Sequence, residues 1–556
     1  MTMIMMAVAL LILTGVLTWS SANARLSARS NQYTVSVAAA EAAAEKVNSR
    51  LASDFLSGGE GQVIANLDAY RKMVPTASDS AYWSDWEFSD AQGHVGSTYV
   101  LQGSSSNYTL LNSAYAGLNA YASTYTLVSN ARKTNSLQNV VAGVLEEVAL
   151  VHIPIFQFAM YSSGDMEISC GHPFTVSGPV HANGQLYVEP DNALSFQSSV
   201  TAVGSVLFQR DPLDTRGPVA GTVTYQVPSK GGQPALTLPI GTTNTPQAVR
   251  EIIEPPPAGE DPNSPIGRQR YYNQADMMIS VSKASVLVTS GNFNQFATTV
   301  PTNEVVLFLQ TNSTFIDARE GKTVYPIDIN VGALAAWSAT NKSLRSSMPR
   351  TLNSIYVWDR RGLIGTKLGA VRLLNGAQLP SLGLTVATHD PLYVLGNYNQ
   401  PLAANLGTAN TSTALPASFA ADSVTILSTA WRDVNSALLL TLRLAAPTTV
   451  NAAILAGEVD TTLGFYSGGM ENFPRFLESW GAANIFTYNG SMVKMFPSLY
   501  ATNVWGQTNV YNPPTRNWTF DTNFNTPTKL PPLTPSLQVV SRGRWATLAP
   551  NHTTAP

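Results

Sequence analysis

The pattern of apolar and polar residues changes sharply within the first sixty positions. Residues 3–19 (MIMMAVALLILTGVLTW) are almost wholly apolar, and no charged residue precedes Arg25. About 20 such residues are enough for a helix to cross the hydrocarbon core of a bilayer. No later stretch is comparable, so the pattern predicts at most one membrane-spanning helix, with more than 500 residues on one side of it.

The same helix is predicted to continue beyond the apolar segment. Residues 16–57 contain no Gly or Pro, and this length corresponds to about 63 Å of helix at about 1.5 Å per residue. Apolar residues recur there at spacings of three and four, which draws one stripe along a helix. They are Tyr33, Val37, Ala40, Ala44, Val47, Leu51 and Phe55. Charged residues fall mostly off this stripe, Arg50 and Asp54 are spaced as an i,i+4 pair, and Gly58-Gly59 ends the pattern. We therefore expect a stalk helix over residues 1–57.

A cleaved signal peptide is the alternative for this segment. Ala22-Asn23-Ala24 has the small-residue pattern of a cleavage site, but no Lys or Arg precedes the apolar run. Under this alternative, the amphipathic part would be a separate surface helix.

Most of the remaining chain has the pattern of strands and turns. Short runs of Val, Ile, Leu, Tyr and Thr alternate with Gly, Asn, Asp and Pro. The clearest runs are residues 174–188, 384–398, 423–428, 449–457 and 486–493. Repeated short strands joined by small turns predict an α+β, mostly β fold, in which the helix precedes a β-solenoid-like body at residues 161–510. Because no strict period is visible, a β-sandwich with long insertions is the alternative.

Three other segments differ from this pattern. Residues 58–160 are predicted to be a mixed adaptor, with a helix at residues 136–152 because apolar residues there have helical spacing. Residues 226–267 include PPPAGEDPNSP and predict a long surface insertion. The Pro-rich residues 511–556 predict an extended strap or tail.

Composition excludes several classes of protein. Charged residues make up 12% of the chain, about half the roughly 25% of ordinary soluble proteins, and the net charge is −3. Lys and Arg are scattered, so there is no basic surface for nucleic acid and no nucleic-acid partner is expected. A single cysteine, Cys170, permits no internal disulfide.

The sequence offers only weak catalytic and metal-binding motifs. Cys170, His172 and His181 are the closest set of metal-ligating types, but a zinc site needs a fourth ligand. Gly321-Lys322-Thr323 lacks the first glycine of a P-loop. Ser491-x-x-Lys494 lacks the partner motifs of serine acyl enzymes, and Ser467 lacks the upstream glycine of a nucleophile elbow. We therefore expect no enzymatic activity, no metal and no cofactor.

Polysaccharide binding or cleavage is the alternative function. Asp390 and Asp422 lie near the ends of predicted strands and are the candidate carboxylate pair, with Glu458 and Asp460 nearby. Trp480 and Tyr488 are candidate aromatic residues for stacking on sugars, with core packing as their ordinary alternative. Acidic residues at turns also commonly cap backbone N–H groups.

Two sets of residues carry a family resemblance. VAAAEAAAEKVNSRL, after an apolar segment, resembles the N-terminal region of PilX-type pilus-assembly proteins. IPIFQFAMYSSGDMEISCG, GLTVATHDPLYVLGNYNQP and YSGGMENFPRFLESW resemble large bacterial envelope proteins that join a PilX-like stalk to a β-rich body.

The resemblance implies a structural or assembly component of a type IV pilus-like or general-secretion apparatus. Its partners would be the lipid bilayer and other pilin-like or secretion subunits, with surface glycans as a further candidate partner. Small residues at Ala40 and Ala44, together with Val47 and Leu51, are predicted to pack the helix against neighbouring helices.

The resemblance also implies a location in the inner (cytoplasmic) membrane with an exported body, or in a pilus-like filament. Arg25 and Arg29 by themselves favour a cytoplasmic location for the flank that carries them. Export of the body is therefore implied by the resemblance alone.

Overall fold

The computed structural model describes residues 1–103, 107–111, 115–136, 138–217, 220–290, 298–341 and 351–549. The chain divides into two compact units. The first comprises Met1–Thr109, Tyr121–His152 and Gln538–Pro556, and the second comprises Leu110–Ala120 and Ile153–Leu537.

The described helices include one that is much longer than the others. In chain order they are α1 (Thr2–Ala65), α2 (Leu67–Arg71), α3 (Pro246–Arg250), α4 (Pro265–Gln269), α5 (Tyr271–Gln274), α6 (Thr302–Val305) and α7 (Val331–Thr340).

The strands are mostly short, and those of the first half of the chain are as follows. They are β1 (Trp86–Ser89), β2 (Tyr99–Gln102), β3 (Asn107–Leu110), β4 (Asn119–Lys133), β5 (Val141–Pro154), β6 (Met160–Ser162), β7 (Met166–Ile168), β8 (Phe174–Val176), β9 (Val180–Ala182), β10 (Leu186–Val188), β11 (Leu194–Phe196), β12 (Val200–Ala202), β13 (Val206–Leu207), β14 (Val223–Tyr225), β15 (Met277–Val281) and β16 (Val286–Ser290).

The second half continues the series. Its strands are β17 (Thr298–Thr299), β18 (Leu309–Gln310), β19 (Phe315–Asp317), β20 (Lys322–Asn330), β21 (Ser354–Asp359), β22 (Lys367–Leu374), β23 (Leu384–Thr388), β24 (Leu392–Leu395), β25 (Ala417–Ala421), β26 (Val424–Leu427), β27 (Thr448–Asn451), β28 (Ala453–Glu458), β29 (Arg475–Phe476), β30 (Ile485–Gly490), β31 (Met492–Pro497), β32 (Thr515–Phe520) and β33 (Ser536–Leu548).

Helix α1 confirms the prediction of one uninterrupted helix through the apolar and amphipathic segments. It extends past the predicted end at Ser57, with a break at Gly59, whose φ of 76° is left-handed and suits glycine. Arg50 and Asp54 form the predicted ion pair at 3.2 Å. In the first unit the buried stripe of α1 packs on a sheet ordered β1-β4-β5-β33, with β2 and β3 also paired to β4.

The helix predicted at residues 136–152 is wrong, because the structure has strand β5 there. β5 pairs antiparallel with β4, for example Val144 with Ser129 and Val148 with Tyr125. Val144 and Leu145 are adjacent, yet they belong to different buried clusters. Because both faces of this strand are covered, the alternation typical of a half-buried strand is lost, and the spacing resembles that of a helix.

The second unit is rich in stacked parallel strands. Its largest sheet has the order β12-β9-β6-β31-β28-β25-β23-β21-β15, with parallel pairing throughout, and β16 and β17 add to its edge antiparallel. A second sheet runs β20-β22-β24-β26-β29 in parallel, with β18 and β19 antiparallel to β20. Three further parallel sheets are β13-β10-β7, β14-β11-β8 and β27-β30-β32. All five of the clearest predicted strand runs contain strands, so a long helix followed by a large β-rich body is confirmed.

A regular repeat is present that the sequence pattern did not reveal. Met160, Val180 and Val200 pair in succession, so the repeat from β6 to β12 is 20 residues long. Gly184 donates its N–H to the carbonyl of Gly164, and Gly204 donates to the carbonyl of Gly184. A Cβ at Gly184 would lie 2.0 Å from a side-chain oxygen of the preceding repeat, which explains glycine there.

The order of strands in the largest sheet differs from their order in the chain. β31, late in the sequence, lies beside β6, the first strand of the sheet, and β12 and β15 are at opposite ends of the parallel stack. Eight inter-strand steps of about 4.8 Å separate them, or about 38 Å. The predicted Pro-rich insertion at residues 226–267 lies between β14 and β15, so it belongs to the chain segment that covers this distance.

The Pro-rich C-terminal region is more ordered than the predicted strap or tail. β32 pairs parallel with β30 in the body, and β33 joins the sheet of the first unit.

Candidate functional site

The N-terminal half of α1 is an exposed apolar surface. Every residue from 1 to 31 is exposed, and Leu11 is 72% exposed and Ile12 62%. The hydroxyl of Thr14 donates to the carbonyl of Leu10 at 2.9 Å, and that of Thr18 donates to Thr14 at 2.8 Å. These bonds satisfy the hydroxyl groups of Thr14 and Thr18 within the helix, as a hydrocarbon environment requires.

By length and composition, α1 can cross a membrane, and it is the one such helix in the described part of the chain. Residues 2–24 carry no charge, and Arg25 and Arg29 follow on the same helix. We name residues 2–24 the apolar segment.

The four residues predicted to pack α1 against neighbouring helices have a different role. Ala40, Ala44, Val47 and Leu51 are fully buried within the first unit. Ala40 contacts a cluster that includes Trp86 and Phe88, and Val47 and Leu51 belong to a cluster with Tyr125 and Val148. The prediction is corrected here, because the chain's own sheet covers this stripe.

The body holds a second candidate site around Asp422, in the turn between β25 and β26. Asp422 is fully buried, and Oδ1 accepts a hydrogen bond from Arg250 Nη1 at 2.8 Å. Its carboxylate also accepts backbone N–H groups of residues 499, 500 and 501 at 2.6, 3.2 and 2.9 Å. Arg250 in turn donates to Glu254 at 2.8 Å. Arg250 and three backbone N–H groups therefore hold the Asp422 side chain in a fixed, buried position.

Asp390, the other predicted carboxylate, lies close enough to this cluster to interact electrostatically with Asp422. Burial, followed by the nearby carboxylates of Asp359 and Asp422, raises the pKa of Asp390 well above its ordinary value. Its Oδ2 has no hydrogen-bond partner among the described residues and lies 3.5 Å from Nε2 of His389. Burial also lowers the pKa of His389, so burial favours the uncharged form of both side chains.

A cavity of about 510 Å³ lies beside this cluster. Arg250, Glu251 and Glu254 line it, together with prolines and Phe496. Neither Asp390 nor Asp422 lines the cavity. The structure thus brings the predicted pair into one electrostatic cluster, but it does not place two carboxylates on either side of an open cleft as glycoside hydrolysis requires.

The two predicted sugar-stacking residues are in the core. Trp480 is 1% exposed and Tyr488 is 2% exposed. Trp480 packs edge-on to Phe476, and Tyr488 stacks with Phe486. Their role as sugar contacts is corrected to core packing, because neighbouring aromatic rings cover them.

Residues of the weaker sequence motifs make structural contacts. His181 is buried between Thr201 and Asn183, and its burial lowers its pKa to about 4. The described residues contain no group of His, Cys, Asp and Glu arranged to hold a metal ion. Gly321 forms a tight turn with φ of 63° between β19 and β20.

The serine motifs likewise have ordinary partners. Ser491 donates to the carbonyl of Phe158 at 2.5 Å, while Lys494 forms ion pairs with Asp460 at 2.9 Å and Glu458 at 3.4 Å. Ser467 accepts the N–H of Gly469 within a turn.

Arg250 is the site residue that sequence reasoning missed. It lies 172 positions from Asp422 in the Pro-rich segment predicted as a surface insertion. Two local features of the sequence mark this region: a Pro residue at the start of α3, and the i,i+4 spacing of Arg250 and Glu254. Neither feature identifies Asp422 as the distant partner of Arg250.

Comparison with known proteins gives little further information. No protein-family model matches the chain, and no curated protein matches it. Among solved structures, the crystal structure of the competence-associated pilin ComZ from Thermus thermophilus is similar with a TM-score of 0.29 and 11% identity, covering 90% of this chain and 97% of that chain. At that TM-score, function must be argued from this chain's own residues.

Proposed function

We propose that this protein is a non-enzymatic structural component of the cell envelope, belonging to a type IV pilus-like or general-secretion apparatus. The apolar segment of α1 anchors it in a membrane or in the helix bundle of a pilus-like filament. The observation that carries the proposal is that residues 1–31 are exposed on every face, while the continuation of the same helix has a stripe of buried residues.

The contrast between the two halves of α1 supports this assignment. The C-terminal half already has a partner in the first unit, since Leu51 and Phe55 are buried against the sheet. The N-terminal half has the length and the uncharged surface that a bilayer core covers. Large contiguous apolar surfaces on soluble proteins mark sites of interaction with membranes or partners.

We also propose that the body is a β-solenoid. The 20-residue register and the parallel pairing support this architecture, since sandwiches are built from antiparallel sheets. A ladder of buried asparagines adds support: Asn399 and Asn451 exchange side-chain-to-carbonyl bonds, and Asn489 donates to Asn451 at 2.8 Å.

The absence of enzymatic activity is supported by the state of the predicted carboxylates. Asp422 is held by Arg250 and three backbone N–H groups, and burial raises the pKa of Asp390 well above its ordinary value, which favours its protonated form. The body would then act as a displayed surface outside the cytoplasmic membrane.

Paired charge substitutions test the anchoring role. Leu10→Arg with Leu13→Arg places two charges in the apolar segment, at a cost of about 2.5–3.5 kcal/mol each near a membrane helix centre. The matched control is the double variant Leu26→Arg with Ser30→Arg. Both of its changes lie after the apolar segment, in the exposed part of α1. After alkaline extraction of membranes, wild type and control should sediment, and the Leu10/Leu13 variant should be in the supernatant. Sedimentation of all three would contradict the proposal.

A reporter fusion tests export separately. Alkaline phosphatase fused after Pro556 is active only outside the cytoplasm, so the proposal predicts an active fusion despite Arg25 and Arg29. An inactive but stable fusion would place the body in the cytoplasm and contradict the exported location.

A further inference from the structure

The body contains a second cavity, of about 430 Å³, at a place unrelated to the Asp422 cluster. Arg516 lines it, together with His172, Phe174, Asn512 and two consecutive prolines at positions 513 and 514. Its volume lies within the range typical of small-ligand sites, about 300–1,000 Å³. We name it the Arg516 cavity.

Arg516 has far fewer partners than its chemistry allows. A guanidinium carries five N–H donors. Nη2 donates to Asn472 Oδ1 at 2.7 Å, and the guanidinium carbon lies 5.5 Å from the centre of the Trp518 ring. Nε is buried without a hydrogen-bond partner, and Arg516 forms no ion pair with a carboxylate in the described part of the chain. A partly buried cation with unused donors is stabilised when an anion accepts hydrogen bonds from those donors.

The surroundings of Arg516 leave its charge available. Neither Asp nor Glu is among the residues that line the cavity in the described structure. Glu471 is the nearby acidic group and attracts Arg516 electrostatically, but burial raises the pKa of Glu471 to about 7, and its Oε1 accepts hydrogen bonds from Ser169 N–H and Tyr466 OH. Arg250 at the other cavity is different, because Asp422 and Glu254 both pair with it.

The remaining lining favours a sugar acid over a peptide terminus. Phe174 and two prolines border the cavity with apolar atoms, of which Pro513 is exposed while Phe174 and Pro514 are largely buried. The side-chain Nδ2 of Asn512 donates to Ser479, which leaves its Oδ1 atom as an acceptor. Peptide carboxyl termini are commonly captured by a nest of free backbone N–H groups. Here the N–H of Asn512 is already bonded to the carbonyl of Glu478, and Thr515 lies in the paired strand β32.

We propose that the Arg516 cavity binds the carboxylate of a uronic acid unit in an acidic polysaccharide. The guanidinium of Arg516 holds the carboxylate, the Phe174 and proline surfaces cover the sugar ring, and Asn512 accepts a hydrogen bond from a hydroxyl. This binding site adds to the structural role proposed above and does not depend on how the chain is anchored.

Calorimetry on the full chain in mild detergent, with trigalacturonate as the probe, tests the proposal. The fully methyl-esterified trimer has the same shape without the charges, and it should bind about 10- to 100-fold more weakly because the charge-assisted bonds are lost. Equal binding of the two trimers, or no binding of trigalacturonate, would overturn the proposal. Tighter binding of a tripeptide with a free carboxyl terminus would overturn the assignment to a sugar.

Three variants locate the binding site. Arg516→Gln should abolish the preference for the charged trimer, whereas Arg432→Gln, which changes an exposed arginine elsewhere on the body, should keep it. Ala482→Trp fills the exposed mouth of the cavity without altering Arg516, so it should abolish binding with an unchanged unfolding temperature. Undiminished binding by Ala482→Trp would place the sugar elsewhere and refute the site, even if Arg516→Gln failed to fold.

Discussion

Replacing Glu471 by glutamine should stabilise the body in a strongly pH-dependent way. Glu471 is 3% exposed, and its Oε2 has no hydrogen-bond partner among the described residues. Burial raises its pKa from the ordinary 4.5 to about 7, against the opposing effects of the Arg516 charge and of hydrogen bonds from Tyr466 and Ser169. Glutamine has nearly the same shape as the protonated acid and cannot ionise.

The size and sign of the effect follow from proton linkage. Between pH 4.5 and 7 the folded protein keeps the Glu471 proton that the unfolded chain has lost, so stability decreases as pH rises through this window. A rise in the pKa of Glu471 from 4.5 to about 7 amounts to about 3 kcal/mol, because each tenfold change in proton affinity is worth about 1.36 kcal/mol. Glu471→Gln should therefore be more stable than wild type by about 3 kcal/mol at pH 8 and about 2 kcal/mol at pH 6, with no difference at pH 4.

Urea unfolding of the full chain in mild detergent, followed by tryptophan fluorescence at the three pH values, measures this difference. Glu41→Gln is the control, because Glu41 is exposed on α1 and its variant should track wild type. A Glu471→Gln variant whose gain is the same at pH 4 and pH 8, or that is less stable at pH 8, would refute the reasoning.

Three further predictions concern packing inside each of the two units. Each is measured as the change in the free energy of unfolding, determined with urea. Arg250→Ala leaves Asp422 buried without its cation and should cost about 3–5 kcal/mol, whereas the double change with Asp422→Asn should recover part of that loss. Leu51→Ala should destabilise the first unit by about 2–5 kcal/mol, while Leu11→Ala on the exposed half of the same helix should leave its stability in detergent unchanged. Gly184→Ala places a Cβ 2.0 Å from a side-chain oxygen and should cost about 1–3 kcal/mol; a stability equal to wild type would contradict the close stacking of successive repeats.

Features set by neighbouring residues could be predicted from the sequence. The apolar segment and the stripe ending at Phe55 depend on contacts three and four positions apart, so their pattern is visible directly. Short strands such as β23 and β26 were likewise marked by apolar runs between turn residues. Residues 136–152 were mistaken for a helix because the two faces of β5 are both buried.

Features set by distant residues could not be predicted in the same way. Arg250 meets Asp422 across 172 positions, and β31 lies beside β6 across more than 300. The 20-residue repeat was hidden because its coils share only a few small and apolar positions, such as Gly184 and its equivalents. The sequence around Trp480 is compatible with a side chain that faces a sugar and with one that lies in the core. Its position in the core is determined by the aromatic rings that pack around it.

Spin labelling can show whether the apolar segment of α1 lies in a membrane. In a background with Cys170→Ser, single cysteines at Leu13 and Ser30 are labelled and the chain is reconstituted in lipid vesicles. Oxygen, which concentrates in the bilayer, should relax the label at position 13, while a water-soluble nickel complex should relax the label at position 30. A label at position 13 that is as accessible to nickel as the label at position 30 would contradict the membrane assignment.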